Sequence, residues 1–137
     1  MNNAIGSALI SAPAHIVRDT LLAATRLPEW NPAFIRVDGP ARATVGTDYD
    51  LEGIRSLHGS LTYTRIDAHE IVMAWRVPLL SETGTWMLEQ HGPGVTRVTH
   101  TVERRGALAL ALAHTLDTLP PLRLERLEQR VGASQLV

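Results

Sequence analysis

Apolar positions along this chain change period twice, and the changes outline its architecture. "AIGSALISAPA" opens with a short alternating stretch that predicts a strand, ended by Pro13. From Pro13 to Ala24 the period lengthens: Ile16, Val17, Thr20, Leu21 and Ala24 share one helical face, with Arg18 and Asp19 on the other. Pro28 and Pro32 then punctuate "TRLPEWNPAF", which predicts a short second helix or a turn rather than a continuation. Six stretches of period two follow: "FIRVDGP", "TDYDLEG", "SLTYTRID", "IVMAWRV", "TGTWMLEQ" and "TRVTHTVER". Turn signals such as "DGP", "HGS" and "HGPG" separate them, and connections this short imply antiparallel neighbours. The chain then returns to helix near Ala107, with Leu108, Leu112, Thr115, Leu116 and Leu119 along one stripe. Pro120 and Pro121 are expected to break or bend it before Leu124, Leu127 and Val131 resume the line. The pattern predicts an α+β fold: a curved antiparallel sheet whose apolar face is covered by a long C-terminal helix. A sheet so curved often leaves an internal apolar cavity beside the helix.

Strand parity assigns side chains to that interior. Tyr49 and Leu51 should face in, as should Ile71, Met73, Trp75 and Val77, then Trp86 and Leu88. Asp48, Asp50 and Glu52 should face out. His100 goes inward with Val98 and Val102, and Arg104 shares its face nearer an end. "SLTYTRID" is ambiguous: Leu61 and Tyr63 facing in would bring Arg65 with them, whereas Ile66 argues the opposite parity.

The candidate polar set in an apolar cavity is therefore Tyr49, Tyr63, Arg65 and His100. Imidazole can accept and return a proton near neutral pH. Tyrosine and arginine donors can hold an enolate or carbonyl oxygen as charge builds up. The alternative is a hydrogen-bonded core histidine at position 100 and a solvated strand residue at Arg65. Trp30, Leu51, Met73, Trp75, Trp86, Leu88, Leu112 and Leu116 are expected to form the walls and contact a ligand. His114 and Asp117, three apart on a helix, read as a solvated pair.

Composition narrows the function classes. The 137 residues suit one domain, spanning 1–137, large enough for a single core. A net charge of -1 offers no basic field for nucleic acid or an anionic membrane. All 13 cationic residues are arginine, so a Schiff-base lysine is excluded, and the lack of cysteine excludes thiolate chemistry. The six histidines show no ligand spacing of the HxH or HExxH kind, so no metal and no cofactor is expected. Neither a nucleophile elbow nor a glycine-rich phosphate loop is present. "MNNAIGSALI" lacks the pattern of a signal peptide, and no apolar run approaches the roughly 20 residues that cross a bilayer. A cytoplasmic protein, monomeric or homodimeric, is expected.

"SAPA" before the first helix, "PEWNP" after it and "GPGVTRVTH" at the last hairpin carry a family resemblance. With the strands between, they resemble the polyketide cyclase/dehydrase-like proteins of the START-related helix-grip superfamily, over almost the whole chain. The resemblance implies a helix-grip fold in which Trp30 plugs one end of the cavity. It also implies a small hydrophobic, polyketide-like partner whose cyclisation or dehydration the protein promotes, with His100 transferring protons and Tyr49, Tyr63 and Arg65 orienting. Members of the superfamily also include carriers and chaperone activators, so non-catalytic binding or transfer, or a surface interaction module, stays open.

Overall fold

The computed structural model describes residues 2–135; Met1, Leu136 and Val137 of the expected 1–137 domain lie outside the described residues. Seven strands form one sheet: β1 (Asn2–Ile10), β2 (Phe34–Asp38), β3 (Asp48–Gly53), β4 (His58–Ile66), β5 (Glu70–Val77), β6 (Leu80–Gln90) and β7 (Thr96–Arg105). Their spatial order is β1-β7-β6-β5-β4-β3-β2, with every neighbouring pair antiparallel. Between β1 and β2 the chain forms α1 (Ala14–Leu22) and a 3₁₀ helix, Ala24–Glu29, that holds Pro28. Pro13 sits at the N-cap of α1, where its missing N–H costs no helical hydrogen bond.

Alternation along the strands determines what the sheet buries. Tyr49, Leu51, Ile71, Met73, Trp75, Val77, Trp86, Leu88, Val98, His100 and Val102 are all buried, as parity predicts. β4 obeys both readings of its ambiguous pattern. Leu61 and Tyr63 point inward, then a bulge between Tyr63 and Arg65 resets the phase, so that Arg65 turns out while Ile66 pairs with buried Ile71.

The C-terminal region corrects the expectation of one helix bent at its prolines. It begins at Ala107 as expected but comes in three pieces, α2 (Ala107–Ala111), α3 (Ala113–Leu116) and α4 (Leu119–Gln135). The breaks fall at Leu112, with φ -107° and ψ 14°, and at Asp117–Thr118. Pro120 and Pro121 do not bend anything: they lie in the first turn of α4, where an N–H would have no helical partner anyway. α4 lies across β1 and β7 and also meets α1. Its buried stripe is Leu119, Arg123, Leu127 and Val131, with Leu124 alongside.

Two close approaches draw the sheet end together. A Cβ at Gly59 would run into the Arg76 carbonyl oxygen on β5, and one at Gly106 into the Leu79 carbonyl oxygen. Gly106 also has φ 109°, which disfavours any other residue. Gly59→Ala should therefore lower stability by about 2–4 kcal/mol, read from the urea midpoint. A change below roughly 0.5 kcal/mol, the size of an ordinary surface substitution, would show that β4 and β5 need not approach so closely there.

Candidate functional site

Three charged side chains meet in the interior where sheet and α4 face each other. Glu82 on β6, Arg104 on β7 and Arg123 on α4 are 3%, 0% and 1% exposed. Parity puts Glu82 inward, because it shares a face with Gly84, Trp86 and Leu88. Register places Arg104 directly across from it. Arg123 enters from the opposite side because it falls on the buried stripe of α4.

The Glu82 carboxylate takes hydrogen bonds from both guanidinium groups. Arg104 Nε donates to Oε2 at 3.0 Å, and Arg123 donates from Nη1 to Oε1 at 2.6 Å and from Nη2 to Oε2 at 3.2 Å. Arg123 Nη1 also lies 3.0 Å from His100 Nε2, and its Nε donates to Asn31 Oδ1 at 3.2 Å. An arginine can only donate, so His100 Nε2 accepts, and Nδ1 carries the proton toward the Thr85 carbonyl 3.2 Å away. Trp86 stacks on the imidazole at 3.7 Å between centroids, and Trp30 meets Trp86 edge-on at 5.5 Å. Gly84 makes room for this, since a Cβ there would sit 3.2 Å from His100 Cε1.

This explains the tryptophan between two prolines. The irregular segment presents Trp30 to the stack and Asn31 to Arg123, and Asn31 Oδ1 also caps the Ala33 N–H at 3.1 Å.

Charge state follows from burial and neighbours. Burial by itself would raise the Glu82 carboxyl, but the charges of Arg123 and Arg104 and the hydrogen bonds from Arg123 hold it down at about 2. Burial and then the Arg123 charge lower His100 to about 3, against the pull of Glu82 and the Thr85 hydrogen bond. At neutral pH the cluster thus holds one carboxylate, two guanidinium groups and a neutral imidazole. The nearest further anion is Asp117, half exposed, with Oδ1 3.6 Å from Arg104 Nη1. Among the described residues Arg104 Nη1 and Nη2 and Trp30 Nε1 are buried without a hydrogen-bond partner.

The other sequence candidates divide. Both tyrosines face inward, but their hydroxyls tie down backbone: Tyr63 donates to the Leu21 carbonyl at 2.6 Å and Tyr49 to that of Pro40 at 2.7 Å. Burial pushes the Tyr63 phenol above its ordinary value. Arg65 does not join the interior set; the bulge turns it to solvent, where it pairs with Asp67 at 2.9 Å. Asp117 is not paired with His114 in solvent but reaches Arg104. Trp30, Leu51, Met73, Trp75, Trp86, Leu88 and Leu116 are buried, and Leu112 packs partly buried against the core. The space bounded by Phe34, Met73, Trp75 and Trp86, with Asn31, Glu82, His100 and Arg123 on its polar side, measures about 10 Å³, room for a single water; Arg104 lies outside its lining. Among the described residues no helix is long and apolar enough to cross a membrane, and no cluster suits a metal ion.

Neither a protein-family model nor a curated protein matches the sequence. Solved structures do match. A START superfamily protein from Mycobacterium smegmatis is 18% identical with a TM-score of 0.73, each chain covering 100% of the other. The di-domain ARO/CYC BexL from the BE-7585A biosynthetic pathway is 18% identical with a TM-score of 0.73, over 96% of this chain and 47% of its own. DynU16, from the dynemicin biosynthetic locus, is 13% identical with a TM-score of 0.73, over 98% and 48%. The chain therefore has the helix-grip fold of START-like and polyketide cyclase-like proteins.

Two stability measurements probe the cluster. Glu82→Gln leaves two buried guanidinium groups without their anion and should cost about 3–5 kcal/mol. An unchanged urea midpoint would mean that the carboxylate is dispensable. Acid should destabilise the native protein in two stages. The unfolded chain protonates its histidine below about 6.5 and the native chain only near 3, so stability declines as pH falls from 6.5. Glu82 adds to the decline below 4.5, its ordinary value, as pH approaches 2. Each group contributes a slope of up to about 1.4 kcal/mol per pH unit. His100→Gln should flatten the decline between 6.5 and 4.5 and lessen its slope from 4.5 to about 3, leaving only the Glu82 contribution as pH approaches 2. The same slope in both proteins over that range would place the neutral-histidine assignment in error.

Proposed function

We propose that this chain binds a small, mainly apolar, oxygen-bearing molecule of the polyketide kind between its sheet and α4. The supporting observation is the polar cluster of Glu82, Arg104, Arg123 and His100, fully buried inside an aromatic cradle. A core needing only stability is as well served by apolar side chains, since buried ion pairs seldom improve on them. Oriented donors within apolar walls are instead what fixes a small ligand's orientation. The likeness to a START superfamily protein and to an ARO/CYC agrees with this reading.

Such pockets usually measure roughly 300–1,000 Å³, so the interior of about 10 Å³ would have to enlarge to admit a ligand. Phe34, Met73, Trp75 and Trp86 border the space that would enlarge, and Trp30, Leu51, Leu88, Leu112 and Leu116 would complete its walls once it did. The protein would act in the cytoplasm as a monomer or homodimer, without a cofactor. Titration with a hydroxyanthraquinone should quench tryptophan fluorescence saturably, with affinity nearly independent of salt. No saturable change, or a steep loss of affinity with salt, would remove this reading.

Cyclisation or dehydration of the bound molecule is a second reading, favoured by the Arg123–His100 contact. A ligand carbonyl that takes the Arg123 donor would free His100 Nε2, restoring its capacity to accept a proton. His100 is then the proton-transfer residue. Tyr49 and Tyr63 hold the surrounding backbone unless opening releases their hydroxyls. His100→Gln should lower turnover by roughly 10²–10⁴-fold with little loss of affinity. Full turnover in a folded variant would leave binding as the function.

A further inference from the structure

Resting on the binding reading above, we propose that the ligand carries an acidic oxygen, as a carboxylate, phenolate or enolate, which the free edge of Arg104 receives. Arg104 is wholly buried, yet only its Nε has a hydrogen bond, to Glu82. Its Nη1 and Nη2 are buried without one among the described residues. A buried guanidinium with two unused donors is costly, and a bidentate oxyanion is the partner its geometry fits best. The surrounding charge agrees. Glu82 already accepts three hydrogen bonds and is shared with Arg123, so its single charge faces two cations. Neutral His100 adds no anion. Asp117 stands 3.6 Å from Nη1, but its side chain is 52% exposed and makes no hydrogen bond to it. It is placed to be displaced by a better acceptor.

The way in lies beside the same residue. Asp117 forms the break between α3 and α4, and α2 and α3 above it are short pieces hinged at Leu112. Of these pieces only Ala109 and Leu116 are buried. The Leu108 N–H holds α2 to the Leu79 carbonyl at 3.0 Å, so α2 and the β5–β6 turn share one end of the sheet. That end presents two exposed leucines, Leu79 at 66% and Leu110 at 73%. Lifting α2–α3 would open a passage with apolar lips and Arg104 beneath it.

The test compares 2-naphthoate with 2-naphthamide by calorimetry, on the native protein and on Asp117→Asn. The acid should bind about 10- to 100-fold more tightly than its amide, the span expected for charge-assisted hydrogen bonds. Asp117→Asn removes the competing anion from a half-exposed position and should tighten the acid about two- to fivefold while leaving the amide unchanged. Equal binding of acid and amide would overturn the anionic-ligand proposal while preserving the apolar pocket. An acid affinity unaltered by Asp117→Asn would remove Arg104 as the receiver. Failure of both naphthalenes to bind, together with failure of the hydroxyanthraquinone, would overturn the binding reading as well. Failure of the naphthalenes alone would overturn only the present proposal.

Discussion

One carboxylate, Glu82, joins the two layers of this protein. It is the shared acceptor for an arginine of the sheet and an arginine of the covering helix, at 3.0 Å and 2.6 Å. Removing three charges from water costs several kcal/mol per ion, and only close mutual contact offsets that. The geometry therefore fixes where α4 can sit, because Arg123 must reach Glu82, His100 and Asn31 together. A purely apolar helix could slide along the sheet with little change in energy. This one has a register set by hydrogen bonds.

The aromatic residues depend on the same arrangement. His100 can stack on Trp86 at 3.7 Å because Gly84 leaves the space and because its nitrogens are engaged by Arg123 and Thr85. Trp30 then closes against Trp86, drawn in by the loop whose Asn31 contacts Arg123. The interior fills almost completely as a result. Burial is concentrated along α4, whereas α2 and α3 contribute two buried residues between them.

Much of this was legible in the sequence because one-sided sheets encode burial directly. Period two identified the inward residues of β3, β5, β6 and β7, and His100 among them. β4 resisted because a bulge inserts one residue without any composition signal, so Leu61 and Ile66 were both right about their own halves. The helix breaks at Leu112 and Asp117 were invisible for the opposite reason: the apolar stripe runs straight through them. Glu82 and Arg123 had usable signals, the parity of 82, 84, 86 and the spacing of 123, 127, 131. A charged residue on an apolar face nonetheless reads as solvated until its partners are known. Those partners lie 22 and 41 positions away. Pairing over such separations is a property of the folded chain, and no local period carries it.

The tyrosines show why buried donors are not interchangeable. Tyr49, Tyr63 and Arg104 all present donors to the interior, and sequence alone ranks the tyrosines higher as oxygen-binding groups. In the folded protein each phenol is already bonded to a carbonyl that secondary structure leaves without a ladder partner, Pro40 before β3 and Leu21 in the last turn of α1. Displacing either by a ligand would strand a backbone acceptor, at a cost comparable to the bond gained. Arg104 makes no hydrogen bond at Nη1 or Nη2 and would give up there only the 3.6 Å ion pair with half-exposed Asp117. The residue best able to gain a partner is therefore the one whose donors folding leaves unused. Recognition of a ligand should follow that unmet demand more closely than it follows the number of polar groups lining the interior.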